Sequence, residues 1–148
     1  MKKIFIYFSL TGNGDIVAET FKSKGYDIRK VISKIKYPKS KFLRIMYGGY
    51  RVCFNKKDKL VDFNSDISNY DEVVIGSPIW MDSICAPINS VLDKIDLTNK
   101  KVKFVFYSAG GEANRATEYV NKNYKSDIII LKEPKTNKNE LKKKSNKT

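Results

Sequence analysis

Ile4-Phe5-Ile6-Tyr7-Phe8-Ser9-Leu10-Thr11-Gly12-Asn13-Gly14-Asp15 carries five consecutive apolar residues into a short polar turn with two glycines. A run apolar at every position predicts a strand buried on both faces, as in a parallel sheet. Beyond the turn, Asp15–Lys24 places Ile16, Val17, Thr20 and Phe21 on one helical face. Three more apolar runs, Val73–Ile75, Val102–Tyr107 and Ile128–Leu131, read as further buried strands. Tyr26–Ile32, charged at Asp27, Arg29 and Lys30, reads as an edge strand. Pro87–Ile95 aligns Ile88, Val91, Leu92 and Ile95, with Pro87 near the start, where its missing N–H is harmless. Glu112–Asn123 is a weaker helix with Ala113, Ala116, Tyr119 and Val120. Strand alternating with helix is the pattern of an α/β, doubly wound sheet.

Size and composition narrow the chemistry. The 148 residues, 41% hydrophobic and 30% charged, suit one globular domain. No apolar run is long enough to span a bilayer, and no signal-peptide cleavage pattern follows Ile4–Phe8, so a cytoplasmic chain without a transmembrane segment is expected. There is no histidine, which excludes Ser-His-Asp and Cys-His nucleophiles and His-ligated metals. Two separated cysteines make neither a disulfide framework nor a zinc cluster. Chemistry must then come from a bound cofactor or from carboxylates, lysines, tyrosines and backbone groups.

Five of the eight glycines, Gly12, Gly14, Gly76, Gly110 and Gly111, fall at the ends of expected strands. Ligands of open parallel sheets bind outside those carboxyl ends, where strand order reverses. In Ser9-Leu10-Thr11-Gly12-Asn13-Gly14, hydroxyls and helix-start amides suit a phosphate without any lysine inside the loop. The same residues also suit an ordinary turn capped by Asn13 or Asp15. The loop lacks the Gly-Lys-Ser/Thr ending of a Walker A motif, and Val17 stands where a dinucleotide fingerprint needs its third small residue. In Gly76-Ser77-Pro78-Ile79-Trp80-Met81, read as a loop, the single tryptophan can stack on a flat ring or cover the end of the core. Ser108-Ala109-Gly110-Gly111 leaves room and exposes backbone donors, as a ligand loop or a plain strand-to-helix turn would.

Together these three loops resemble the flavodoxin family. Ser9-Leu10-Thr11-Gly12-Asn13 resembles its phosphate loop, Tyr70 to Trp80 its third strand and flavin loop, and Tyr107-Ser108-Ala109-Gly110-Gly111 its third flavin-contacting loop. The resemblance spans roughly residues 1–131. It implies a three-layer domain over 1–132, with five parallel strands in the order 2-1-3-4-5 and flavin mononucleotide (FMN) at the rim. Ser9, Leu10, Thr11, Gly12, Asn13 and Gly14 would hold the phosphate. Ser77, Pro78, Ile79 and Trp80 would flank the isoalloxazine, and Ser108, Ala109, Gly110 and Gly111 would lie near its pyrimidine edge. The chain departs from the family pattern in four ways. Gly14 replaces a hydroxyl residue that usually closes the phosphate loop. The 77–81 segment lacks the glycine whose peptide flip stabilises the one-electron-reduced flavin in family carriers. The 108–111 loop has no aromatic, which leaves one flavin face open. The chain is basic where the carriers are acidic.

The formal net charge is +13. Glu133–Thr148, with six lysines and two glutamates, carries +4 of it and reads as a frayed helix or disordered tail. Lys34–Lys59 holds nine basic residues against Asp58, interleaved with Tyr37, Phe42, Tyr47, Tyr50 and Phe54. Phe42, Ile45, Met46, Gly49, Tyr50 and Cys53 recur at helical spacing, so the expectation is a crossover helix with its apolar face on the sheet. A nucleic-acid face or a membrane-surface helix is the less favoured reading. Cys85 is expected as a buried filler rather than a redox thiol, and Cys53 has no assigned role. The leading function is a flavodoxin-like FMN protein carrying electrons between redox partner proteins, acidic ones if charge guides docking. The alternatives are an FMN-dependent NAD(P)H reductase of quinones or other small acceptors, and a cofactor-free binding module with a basic surface. Oligomeric state is left open.

Overall fold

The computed structural model describes residues 1–53 and 57–145. Phe54 and the side chain of Cys53 lie outside that description. The elements run β1 (Lys3–Tyr7), α1 (Asn13–Ser23), β2 (Asp27–Lys30), α2 (Lys41–Cys53), β3 (Glu72–Trp80), β4 (Ser83–Ile84), α3 (Ala86–Leu92), β5 (Lys101–Ser108), α4 (Asn114–Asn123), β6 (Ser126–Lys132) and α5 (Lys138–Ser145).

The sheet order is β2-β1-β3-β5-β6, all parallel, with the two-residue β4 paired antiparallel to β3. Counting parallel strands only, this is the expected 2-1-3-4-5. Side chains alternate between faces. Ile4, Ile6, Val73, Ile75, Phe104 and Phe106 meet Ile88 and Val91 of α3 and Ala116 and Val120 of α4. Phe5, Tyr7, Val74, Val105 and Tyr107 meet Val17, Ala18 and Phe21 of α1 and Leu141 of α5. Burial on both faces is why the central strands read as unbroken apolar runs. β2 is the half-exposed edge strand its charges suggest.

The crossover helix departs from expectation. α2 forms, but its apolar residues do not cover the sheet: Phe42 is 68% exposed, and Leu43, Ile45, Met46 and Tyr50 are also exposed. The helix instead leans on the end of β3 through two glycines. A Cβ on Gly48 would come within 3.1 Å of the Trp80 ring, and one on Gly49 within 2.7 Å of Met81. Its other anchor is buried Arg51, whose Nε donates to Asp58 Oδ1 at 2.7 Å. Asp58 also accepts from the Ser33 and Tyr37 hydroxyls, each at 2.6 Å. A fully buried carboxylate thus ties the basic segment together, with three hydrogen bonds and the Arg51 ion pair offsetting its burial.

The lysine-rich end, expected frayed or disordered, contains α5. Leu141, its one large apolar residue, is buried against the α1 face, and Lys144 Nζ donates to Ile130 O at 2.8 Å. Residues 133–137 cross the carboxyl rim of the sheet on the way to that helix, bonded to it by Glu133 N–H to Ser108 O at 3.2 Å. Among the described residues no helix is long and apolar enough to cross a membrane.

Candidate functional site at the carboxyl rim

The three glycine-bearing segments meet at one rim. Tyr7 pairs with Gly76, and Pro78 with Tyr107, so β1, β3 and β5 end side by side. Phe8 N–H donates to Gly76 O at 3.2 Å, and the Tyr107 hydroxyl donates to Phe8 O. The strand order reverses between β1 and β3, where doubly wound sheets bind ligands.

The turn after β1 is not closed by a side-chain cap. Gly12, with φ +95°, is the N-cap of α1, and no side chain caps the helix. The left-handed conformation is one that glycine adopts without penalty. The first intrahelical bond is Ile16 N–H to Gly12 O at 3.2 Å. Among the described residues the amides of Asn13, Gly14 and Asp15 therefore have no partner. Both candidate caps are engaged elsewhere. Asn13 Oδ1 accepts from the Lys135 amide at 3.0 Å. Asp15 accepts from the Tyr7 hydroxyl at 2.9 Å and pairs with Lys30 at 2.7 Å. Partial burial would raise the Asp15 carboxyl, but Lys30 and Tyr7 outweigh it, with a smaller contribution from Ser9, and hold it below the usual range. The Ser9 hydroxyl is buried and close enough to the Asp15 carboxylate to favour its charge, but it meets no partner at hydrogen-bonding geometry. Three free amides and an orphaned hydroxyl at a helix N-terminus fit a phosphate monoester. Thr11 is exposed, and Leu10 packs on the core beneath the loop.

Gly14 has a steric explanation. A Cβ there would come within 2.6 Å of the Tyr107 hydroxyl and 2.9 Å of Phe8 O. The tyrosine oxygen fills the space that the family's closing hydroxyl residue would need. Burial raises the Tyr107 hydroxyl well above its ordinary value, so it stays protonated and remains a donor.

The 76–80 segment is strand, not loop. Gly76, Ser77 and Pro78 pair with Val105, Phe106 and Tyr107, and β3 then turns back on itself, Ile79 facing Ile84 and Trp80 facing Ser83. The reversal is made by Met81 and Asp82, at φ +48° and +60°. Two left-handed residues suit a two-residue hairpin, and Asp tolerates the conformation better than Met. The strain is offset where Asp82 meets α4: its Oδ2 accepts from the Arg115 amide at 3.0 Å and its carbonyl from the Ala116 amide at 2.9 Å. That carboxylate caps a helix whose own N-cap, Ala113, has no side-chain bond.

Side chains of this segment divide between core and rim. Ser77 is fully buried, its Oγ accepting from the Cys85 amide at 3.2 Å and donating to Pro78 O at 2.8 Å, so its hydroxyl is not on the crevice surface. Cys85 beside it is buried, and desolvation pushes its thiol up to about 12, which makes it an inert filler. Pro78, Ile79 and Trp80 are half-buried. The Trp80 ring lies 5.1 Å from Tyr37 at 60° and edge-on to Phe8 at 6.0 Å. Part of the indole seals the core's end and part remains at the rim. In the third segment Ser108 is buried at the end of β5, Ala109 and Gly110 are exposed, and nothing lies within 4 Å of a Cβ built on Gly110. Gly111, with φ +81°, turns the chain beside Lys132.

Sequence reading missed Tyr37, Asp82 and Lys135 as neighbours of the site, and placed Tyr107 in the third loop without foreseeing its contact with Gly14. Tyr37 was visible only as one of several aromatics in a basic stretch, and Lys135 as one of six lysines in a presumed tail.

The family model for flavodoxins matches residues 2–148, and the chain belongs to that family. Among solved structures, a protein provisionally assigned as a flavoprotein from Bacteroides eggerthii DSM 20697 superposes with a TM-score of 0.74 at 22% identity, covering 89% of this chain and 91% of its own. A flavoprotein from Lactobacillus acidophilus NCFM, solved in complex with FMN, gives 0.67 at 23% identity, covering 86% and 89%. An azoreductase from Bacillus anthracis str. Sterne gives 0.50 at 12%, covering 97% and 92%. At these identities the likeness is one of fold. No curated protein matches the sequence.

Proposed function

We propose that this chain binds FMN at the carboxyl rim and carries electrons between redox partner proteins of the cytoplasm. The observation that carries the reading is the turn after β1: three unpartnered amides and the buried Ser9 hydroxyl lie at the end of β1, and β1, β3 and β5 end side by side. Backbone donors at the N-terminus of α1 bind the phosphate. Trp80, braced by Tyr37 and Phe8, offers an aromatic surface to one side of the ring system, and the exposed backbone of Ala109 and Gly110 serves its polar edge. Bound FMN supplies the one- and two-electron chemistry that the side chains lack. The net charge of +13 favours acidic partners.

Protein purified without added flavin should be yellow, and denaturation should release FMN. A colourless protein that leaves the fluorescence of added FMN unchanged would remove this reading. A second reading, an FMN-dependent reductase of quinones or other small acceptors, draws on one observation. Ala109 and Gly110 are small and exposed, so that side of the crevice is open to a substrate. Sustained NADPH oxidation by the lone protein favours the reductase. Reduction only through a separate reductase protein favours the carrier.

A further inference from the structure

The turn after β1 contains no cation, yet a cation stands over it. Lys135 lies between β6 and α5, 122 residues beyond Asn13, and its backbone amide donates to Asn13 Oδ1 at 3.0 Å. Its side chain runs across Gly12: the Nζ donates to Thr11 O at 3.3 Å and would lie 3.4 Å from a Cβ on Gly12. Gly12 is thus the left-handed N-cap of α1 and lies directly beneath the lysine stem, which a Cβ there would meet at ordinary van der Waals distance. Among the described residues no carboxylate is within ion-pair distance of Lys135, whereas Lys30 nearby is already committed to Asp15. An ammonium held only by a neutral carbonyl, at the positive end of a helix dipole, sits in an unbalanced field that an anion would relieve. Its four-carbon stem lets the Nζ turn from Thr11 O to a ligand while the backbone stays anchored on Asn13.

We propose that Lys135 is a ligand of the phosphate group bound at the turn after β1, so that the segment following β6 completes the cofactor site. The inference rests on the phosphate half of the FMN reading. It assigns to the lysine-rich end of the chain a binding role, and to Asn13 the role of positioning that segment rather than capping the helix. The chemistry recognised is a phosphate monoester dianion, from FMN or from free phosphate.

The test titrates wild type, Lys135→Met, Lys135→Arg and Lys138→Met with FMN, riboflavin and inorganic phosphate, at low and high ionic strength. Flavin binding is read by fluorescence and phosphate binding by phosphorus NMR. Lys135→Met should weaken FMN by about tenfold, as for one exposed charge-assisted bond, and flatten the salt dependence. Riboflavin affinity should be unchanged. Lys138→Met, with the same charge loss three residues on, should bind FMN like wild type, and Lys135→Arg should recover most of the affinity. Unchanged FMN binding by Lys135→Met, or an equal loss for riboflavin, overturns the assignment while leaving FMN in place. Phosphate bound in a Lys135-dependent way by a protein that ignores flavin keeps the assignment and ends the FMN reading. A wild type that takes neither FMN nor phosphate overturns both. The replaced side chain is exposed and its backbone bond to Asn13 persists, so a native thermal midpoint for Lys135→Met is expected and is checked alongside.

Discussion

The two ends of the sheet handle polar groups in opposite ways. At the amino end, buried Glu72 opens β3 and accepts from the Tyr26 hydroxyl at 2.5 Å, with Lys103 at 3.1 Å and the more exposed Lys101 at 3.7 Å. Glu72 and Lys103 are both nearly inaccessible, and each neutralises the other; Ser126 Oγ is the unpartnered exception at that end. At the carboxyl end the Asn13, Gly14 and Asp15 amides and Ser9 Oγ stand without partners, over a core just as well packed. Of the three buried hydroxyls without a partner among the described residues, those of Ser9, Thr117 and Ser126, only Ser9 lies in the turn after β1, beside the open amides of α1, where a ligand would satisfy them together. The amino end contributes stability, and the carboxyl end holds donors in reserve.

Lys103→Met should have the largest effect on stability and the least on binding. It strands the Glu72 carboxylate in the core and should cost about 3–5 kcal/mol in urea unfolding, while the folded fraction still takes FMN. A loss under about 1 kcal/mol would mean that Lys101 replaces it and the pair is not the anchor described here. Gly14→Ala comes next. Its Cβ collides with the Tyr107 hydroxyl and the Phe8 carbonyl, for about 1–3 kcal/mol, and unlike the amino-end change it should also lower FMN affinity by distorting the turn. Full stability and native binding in that variant would show that Tyr107 yields easily.

Acid titration separates the two ends by another route. Burial would raise the Glu72 carboxyl, but Tyr26 and Lys103 together outweigh it and hold it below its ordinary value. A depressed carboxyl contributes stability that is complete above the ordinary range and is lost as pH falls through that range toward the folded value. Glu72→Gln should therefore start less stable and lose less between neutral and acidic pH than wild type. Parallel stability curves for the two proteins would contradict the described pairing. The smallest stability effect belongs to Ser9→Ala. Removing a hydroxyl with no partner should change unfolding free energy by no more than about 0.5 kcal/mol, or raise it slightly, while weakening FMN several-fold. A clear destabilisation without loss of binding would mean that Ser9 is structural.

Local pattern carried most of the fold. Val102–Tyr107 and Ile4–Phe8 read as buried strands because they are apolar on both faces, and Val17 and Phe21 fell on the buried side of α1 as their spacing required. The same logic misplaced α2. Its periodicity was correct for a helix, but the side that docks is Gly48 and Gly49 with Arg51, because what lies opposite is the Trp80 ring, Met81 and the Asp58 carboxylate rather than open sheet. Gly76 to Trp80 read as a loop because Gly and Pro interrupt strands, yet pairing with β5 and the β4 hairpin hold it extended.

The succession of the five parallel strands and of helices α1 to α4, the glycine turn after β1 and the family were legible in the sequence alone, since periodicity and turn residues act over a few positions. The filling of the Gly14 space by Tyr107, the capping of α4 by Asp82 and the placement of Lys135 over Gly12 were decided only in the tertiary structure. Each joins residues far apart in the chain, and only the packing of the sheet and its layers brings such groups within bonding distance.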